Sequence, residues 1–173
     1  MSHIDIAVQE RVTRDESQEI WPVYDEVFHD TASEDEWLQF WEKHCSRTGF
    51  KVALARSDGD LVAFAYGYTG QPGQWWTDQA MGVLDPQVAL EWLGGHFELV
   101  SIGVIPGVQG HGIGRRLLET LTTGLTQERW MLMTTADATD PARRLYASDG
   151  WIELGPGLSA EKVIMGKLNS RAA

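Results

Sequence analysis

The stretch from Glu98 to Glu119 constrains the fold more than any other: an apolar run, a proline-glycine break, three alternating glycines and an amphipathic segment follow one another. The apolar run over 98–104 suits a strand, Pro106 and Gly107 end it, and Ile113, Leu117, Leu118, Leu121 and Leu125 recur at helical spacing. The spacing predicts strand, glycine loop and helix, in that order. Glycines at 110, 112 and 114 open the helix, so several backbone N–H groups can converge where the helix dipole favours negative charge. Each glycine costs about 0.5–1 kcal/mol relative to alanine. Three exceed what a tight turn needs, and a phosphate is the ligand such a loop favours.

Spacing separates the kinds of glycine loop. A nucleoside-triphosphate loop ends in Gly-Lys-Ser/Thr, whereas Gly114 is followed by Arg115 and Arg116. A dinucleotide fingerprint, Gly-x-Gly-x-x-Gly, fails because its last position falls on Arg115 counted from Gly110 and on Leu117 counted from Gly112. Gln109-Gly110-His111-Gly112-Ile113-Gly114 instead resembles the Gln/Arg-x-x-Gly-x-Gly/Ala signature of the GNAT superfamily of acyl-CoA-dependent N-acyltransferases. The preceding Ile102-Gly103-Val104-Ile105-Pro106 resembles that family's fourth strand. The resemblance implies acetyl-CoA as cosubstrate. It places the pyrophosphate on the backbone amides of Gly110, His111, Gly112, Ile113, Gly114 and Arg115, with Gln109 opening the motif. Ile102, Gly103 and Val104 would pair with the pantetheine arm.

A chain of 173 residues with 43% apolar content can build one core but hardly two, so a single domain over 1–173 is expected. The first residues, Met-Ser-His-Ile-Asp-Ile, lack a basic start and an apolar run, and no later segment reaches membrane-spanning length. A cytosolic protein without a membrane partner is expected. A net charge of −11 and a pI near 4.8 oppose a nucleic-acid partner and favour cationic ligands. The single cysteine, Cys45, excludes an internal disulfide, and it falls on an apolar helix face as an inert thiol. Five histidines scattered singly form no metal cluster, so no metal is expected.

Taken in order, Ile4, Ile6 and Val8 alternate as a first strand. Thr13-x-x-Glu16 and Ser33-x-x-Glu36 are capping boxes for two helices, with Pro22 predicting a kink or restart in the first. Residues 50–56 and 61–68 form a hairpin around Ser-Asp-Gly-Asp. Residues 70–95 interrupt the pattern as an insert holding Trp75, Trp76, Trp92 and a short helix signal at Asp85-Pro86. After the glycine loop come a strand over 130–136, a helix over 141–149 begun by Asp140-Pro141, a last hairpin around Gly155-Pro156-Gly157, and a fraying tail over 169–173. The resulting order β-α-α-β-β-β-α-β-α-β-β resembles the GNAT fold. That is an α/β architecture with a central mixed sheet of about seven strands and helices on both faces.

Only about one alkyl amine in a thousand is neutral at pH 7, so amine acylation wants a base at the amine and an acid at the departing thiolate. By the resemblance, Glu98 takes the position of the base, and Tyr146, before Ser148-Asp149-Gly150-Trp151, takes that of the acid. A charged strand entrance and a helix-face aromatic are the plainer readings of the same two residues. His96, two residues before Glu98 and on the same strand face, is a reserve base. Thr139 departs from the family, standing where many members carry an asparagine that touches CoA. The insert leads directly into Glu98, so Trp75, Trp76 and Trp92 are expected to wall the acceptor side with apolar or cation–π surface and Asp78 to add a countercharge. The same tryptophans would otherwise pack the insert or form a homodimer contact. Together these residues predict an N-acetyltransferase acting on a small-molecule primary amine in a ternary complex. The alternatives are a protein acetyltransferase, acting on lysine or an N-terminus, and a non-catalytic acyl-CoA-binding domain.

Overall fold

A computed structural model describes residues 3–170 as a mixed α/β protein. The elements run β1 (Ile4–Gln9), α1 (Arg14–Phe28), α2 (Glu34–Cys45), β2 (Lys51–Ser57), β3 (Asp60–Thr69), α3 (Trp75–Val83), α4 (Pro86–Trp92) and β4 (Phe97–Val104). They continue with α5 (Ile113–Thr122), β5 (Arg129–Thr135), α6 (Pro141–Ser148), β6 (Ile152–Pro156) and β7 (Lys162–Leu168). The seven strands form one mixed sheet in the order β1-β2-β3-β4-β5-β7-β6. β4 and β5 pair in parallel, whereas β1 with β2, β2 with β3, β5 with β7 and β6 with β7 pair antiparallel. Two compact units make up the chain: Met1–Tyr68 with Val100–Thr123, and Thr69–Leu99 with Gly124–Ala173.

In the first unit, the β2–β3 turn places Asp58 and Gly59 at φ 50° and 94°, the positive values a two-residue hairpin turn demands. One sheet face carries Val52, Leu54, Phe64, Tyr66 and Tyr68 against Ile20, Val23 and Tyr24 of α1 and Trp37 and Trp41 of α2. Alternation puts the fully buried Ala53, Ala55, Ala63 and Ala65 on the other face, and α5 packs on β1 and β2. The expected restart at Pro22 does not occur: α1 is one helix over Arg14–Phe28. Ile20, Val23 and Tyr24 pack on both sides of the proline and hold the helical path despite the missing N–H. Thr13 closes a full capping box with Glu16. Ser33 makes only half of one, because the Glu36 carboxylate takes the Ala32 N–H at 2.6 Å instead of that of Ser33.

In the second unit, the segment between β3 and β4 holds two helices where the sequence signalled one. α3 escaped because its N-cap, Gln74, makes no side-chain capping bond and Gly82 lies inside it. α4 follows its signal, with Asp85 accepting the Gln87 N–H at 2.9 Å. The pair lays Ala80, Leu84, Ala89 and Trp92 onto Met131 and Ile164. Gly166 leaves room for this, since a Cβ there would stand 2.6 Å from the Trp92 ring. α6 lies on the opposite face, where Trp151 packs between Trp130 and Tyr146. The expected fraying does not begin at Asn169, which is buried, donates its amide to the carbonyls of Leu125 and Gln127, and gives its backbone N–H to Glu128. The rest of that tail, 171–173, lies outside the described residues.

Candidate active site

In the first unit, β4 ends in a single 3-10 turn over Pro106–Val108, and the Gln109 side chain returns to donate to the Val104 carbonyl at 3.0 Å. Gly110 and Gly112 adopt φ 84° and 74°, values at which a side chain is strained. Neither is forced by crowding, because a Cβ at either position would meet nothing within 4 Å. Gly112 is the N-cap of α5 and supplies no side-chain acceptor. The N-cap thus brings no side-chain acceptor to the first turn, which suits a helix start that receives an anion. Gly110, His111 and Arg115 are exposed beside it, while the Ile113 side chain is buried and anchors the turn. Gly103 has its own cause: a Cβ there would press on the rings of Phe64 and Phe28 at 3.0 and 3.3 Å. Ile102 and Val104 flank it, half-buried.

In the second unit, Glu98 pairs with Met131 across β4 and β5, and Phe97 pairs with Trp130. Met131 faces α3 and α4, while Trp130 faces Trp151 and Tyr146. Alternation therefore sets Glu98 and Tyr146 on opposite faces of the parallel pair. Glu98 is 5% exposed and Tyr146 7%. Burial, with the Asp140 charge adding to it, raises the pKa of the Tyr146 phenol, so it keeps its proton throughout the neutral range.

The surroundings of the reserve base weaken it as a proton acceptor. His96 is 1% exposed, Nδ1 accepts the Gly94 N–H at 3.0 Å, and burial pushes its pKa down to about 4. No signal in the sequence told that His96 is buried. In the insert, Trp75 is 67% exposed, Trp76 packs beside His96 with ring centroids 6.2 Å apart, and Trp92 is buried beneath the Arg129 guanidinium. Asp78 holds the preceding turn by accepting the Gly73 N–H at 2.9 Å. Thr139 donates through its backbone N–H and hydroxyl to Asp137. Arg143 is spent on the carbonyls of Thr135 and Ala136 and on Glu153, and Arg116 donates to the Ile4 carbonyl. Burial pushes the Cys45 thiol up to about 12, leaving it inert. Among the described residues no group of three or more His, Cys, Asp or Glu side chains gathers to hold a metal, and no helix is long and apolar enough to cross a membrane.

The element order and the seven-stranded mixed sheet with one parallel pair are those of an α/β fold. The profile of the Acetyltransferase (GNAT) family matches residues 13–151, and the chain belongs to that family. A GCN5-like protein acetyltransferase of Mycobacterium tuberculosis is 32% identical over 114 residues, which are 62% of this chain and 55% of that protein. The match thus spans about half the length of that curated relative. The ribosomal-protein-S18-alanine N-acetyltransferase of Escherichia coli superposes with a TM-score of 0.67 at 19% identity, covering 99% of this chain and 97% of that one. The PaiA N-acetyltransferase of Thermoplasma acidophilum, solved in complex with coenzyme A, gives 0.64 at 13% identity, covering 95% and 99%. At such identities these two structures speak for the fold alone.

Proposed function

We propose that the protein is an acetyl-CoA-dependent N-acetyltransferase acting on a small-molecule primary amine by direct attack. Glu98 takes a proton from the ammonium form of the acceptor, directly or through water. The freed nitrogen attacks the thioester carbonyl carbon, an N–C bond forms, and the C–S bond breaks. The acylated nitrogen sheds its second proton to solvent, Tyr146 gives its proton to the departing sulfur and regains one from solvent, and Glu98 releases the proton it took. The amides of residues 110–115 hold the pyrophosphate, and the backbone of residues 102–104 holds the pantetheine arm. Trp75, Trp76 and Asp78 line the acceptor side in this reading.

The observation that carries it is the start of α5, where Gly110 and Gly112 take positive φ and the N-cap Gly112 brings no side-chain acceptor to the first turn. Gly112→Asp tests it, with Gly112→Ala as the control for the backbone strain that any side chain meets at φ 74°. The new carboxylate would compete for the same N–H groups and repel pyrophosphate. Calorimetry should show acetyl-CoA binding abolished, with Gly112→Ala retaining part of it. Unchanged affinity in a folded Gly112→Asp protein would sink the assignment.

A protein acceptor is the second reading, favoured by the name of the mycobacterial relative. Acetylation of lysine peptides at rates exceeding those of any free amine would establish it in place of the first.

A further inference from the structure

We infer that His96 is a positioning residue that sets where Glu98 stands, by locking the two ends of the insert to each other at the start of β4. The inference rests on Glu98 being the base, and its test separates the two.

The lock is built from main chain and ring together. The Gly70 N–H donates to the His96 carbonyl at 2.7 Å, and the Gly95 N–H donates to the Gly70 carbonyl at 2.8 Å. Gly94 and Gly95, at φ 99° and 80°, turn the chain back so that the Gly94 N–H meets Nδ1 of His96 at 3.0 Å. The far end of the imidazole fills the space a side chain on Gly70 would need, since a Cβ there would lie 2.1 Å from Nε2. Trp76 of α3 closes the side of the ring. One imidazole therefore touches the first residue of the insert, its last turn and its first helix.

The chemistry of the ring fits holding and not proton transfer. With Nδ1 accepting from Gly94, the neutral ring carries its proton on Nε2, and Nε2 has no hydrogen-bond partner among the described residues. Leaving a buried donor unpaired opposes folding, so the site tolerates a cost that an apolar side chain would avoid. What the imidazole supplies that leucine would not is an acceptor for Gly94. Glu98 follows two residues later on the same face, about 7 Å along the strand. A tilt at His96 is passed directly to the carboxylate, and a displacement near 1 Å can cost about a hundredfold in rate.

The experiment compares His96→Leu, His96→Asn and Glu98→Gln, reading kcat against pH, acetyl-CoA affinity and Tm with acetyl-CoA and an accepted amine. His96→Leu removes the acceptor for Gly94, whereas His96→Asn offers one through its side-chain carbonyl. The expected result is a ten- to hundredfold loss of kcat at pH 7 in His96→Leu, with acetyl-CoA affinity kept within twofold. That loss should shrink as pH rises towards the amine's own pKa, in parallel with Glu98→Gln, and His96→Asn should regain part of the rate. Should His96→Leu fail to fold, Gly70→Ala, which drives the ring out of its space, is read in the same way. A lower Tm with kcat and pH profile unchanged, or a kcat equally depressed at every pH, overturns the inference while leaving Glu98 as base. An inert Glu98→Gln overturns the base reading and this inference with it.

Discussion

Tyr146 is a buried phenol held neutral, so deleting only its proton isolates the acid role. Tyr146→Phe keeps the ring against Trp151 and should lower kcat about ten- to a thousandfold while acetyl-CoA affinity stays unchanged by calorimetry. An undiminished kcat would assign sulfur protonation elsewhere. Histidine titration gives a second residue-level consequence. His44 and His96 both have pKa values pushed down to about 4 from an ordinary 6.5, burial being the first cause in each. The unfolded chain therefore binds more protons than the native one between about pH 4 and 6.5, and stability is complete above that window and falls on acidification through it. Each histidine contributes at most about 1.4 kcal/mol per pH unit there. Urea melts should show stability dropping from pH 7 to pH 5, with a shallower drop in His96→Asn. Glu98 and Tyr146 were legible as positions in a motif. The fate of His96 was not, because period two places a residue on a face without saying what lies against it.

The elements read best where chemistry is local. Capping by Thr13, Asp85 and Asp140, the Asp58-Gly59 turn and the glycine start of α5 each depend on a few neighbouring residues, and each stands where the sequence put it. α3 depends instead on packing against strands far along the chain, and tertiary burial of Ala80 overrode a weak local signal. The insert's tryptophans divide for the same reason. Trp92→Ala should cost about 3–5 kcal/mol in urea denaturation, since it empties the space between Gly166 and the Arg129 guanidinium. Trp75→Ala should change stability by no more than about 0.5 kcal/mol and raise the acceptor KM. A fall in Tm with the acceptor KM unchanged would return Trp75 to a packing role.

At the scale of the molecule, the element order and the family were written in one stretch of the sequence, residues 98–119, and in the succession of elements around it, whereas the order of strands in the sheet was not. The acceptor was not written there, because the surface that meets it is assembled by the insert, whose outward side chains follow no period. The proposed activity is acetyl transfer to an amine, with acyl-CoA held at the α5 start and with Glu98 and Tyr146 moving protons. Release of CoA thiol from acetyl-CoA, followed across a panel of primary amines and checked by mass for an acetylated product, tests it most directly. The account predicts amine-dependent release that yields stoichiometric acetylamine and that Tyr146→Phe suppresses. Tight acetyl-CoA binding with no release in the presence of any amine or lysine peptide would contradict it and leave an acyl-CoA-binding domain in place of an enzyme.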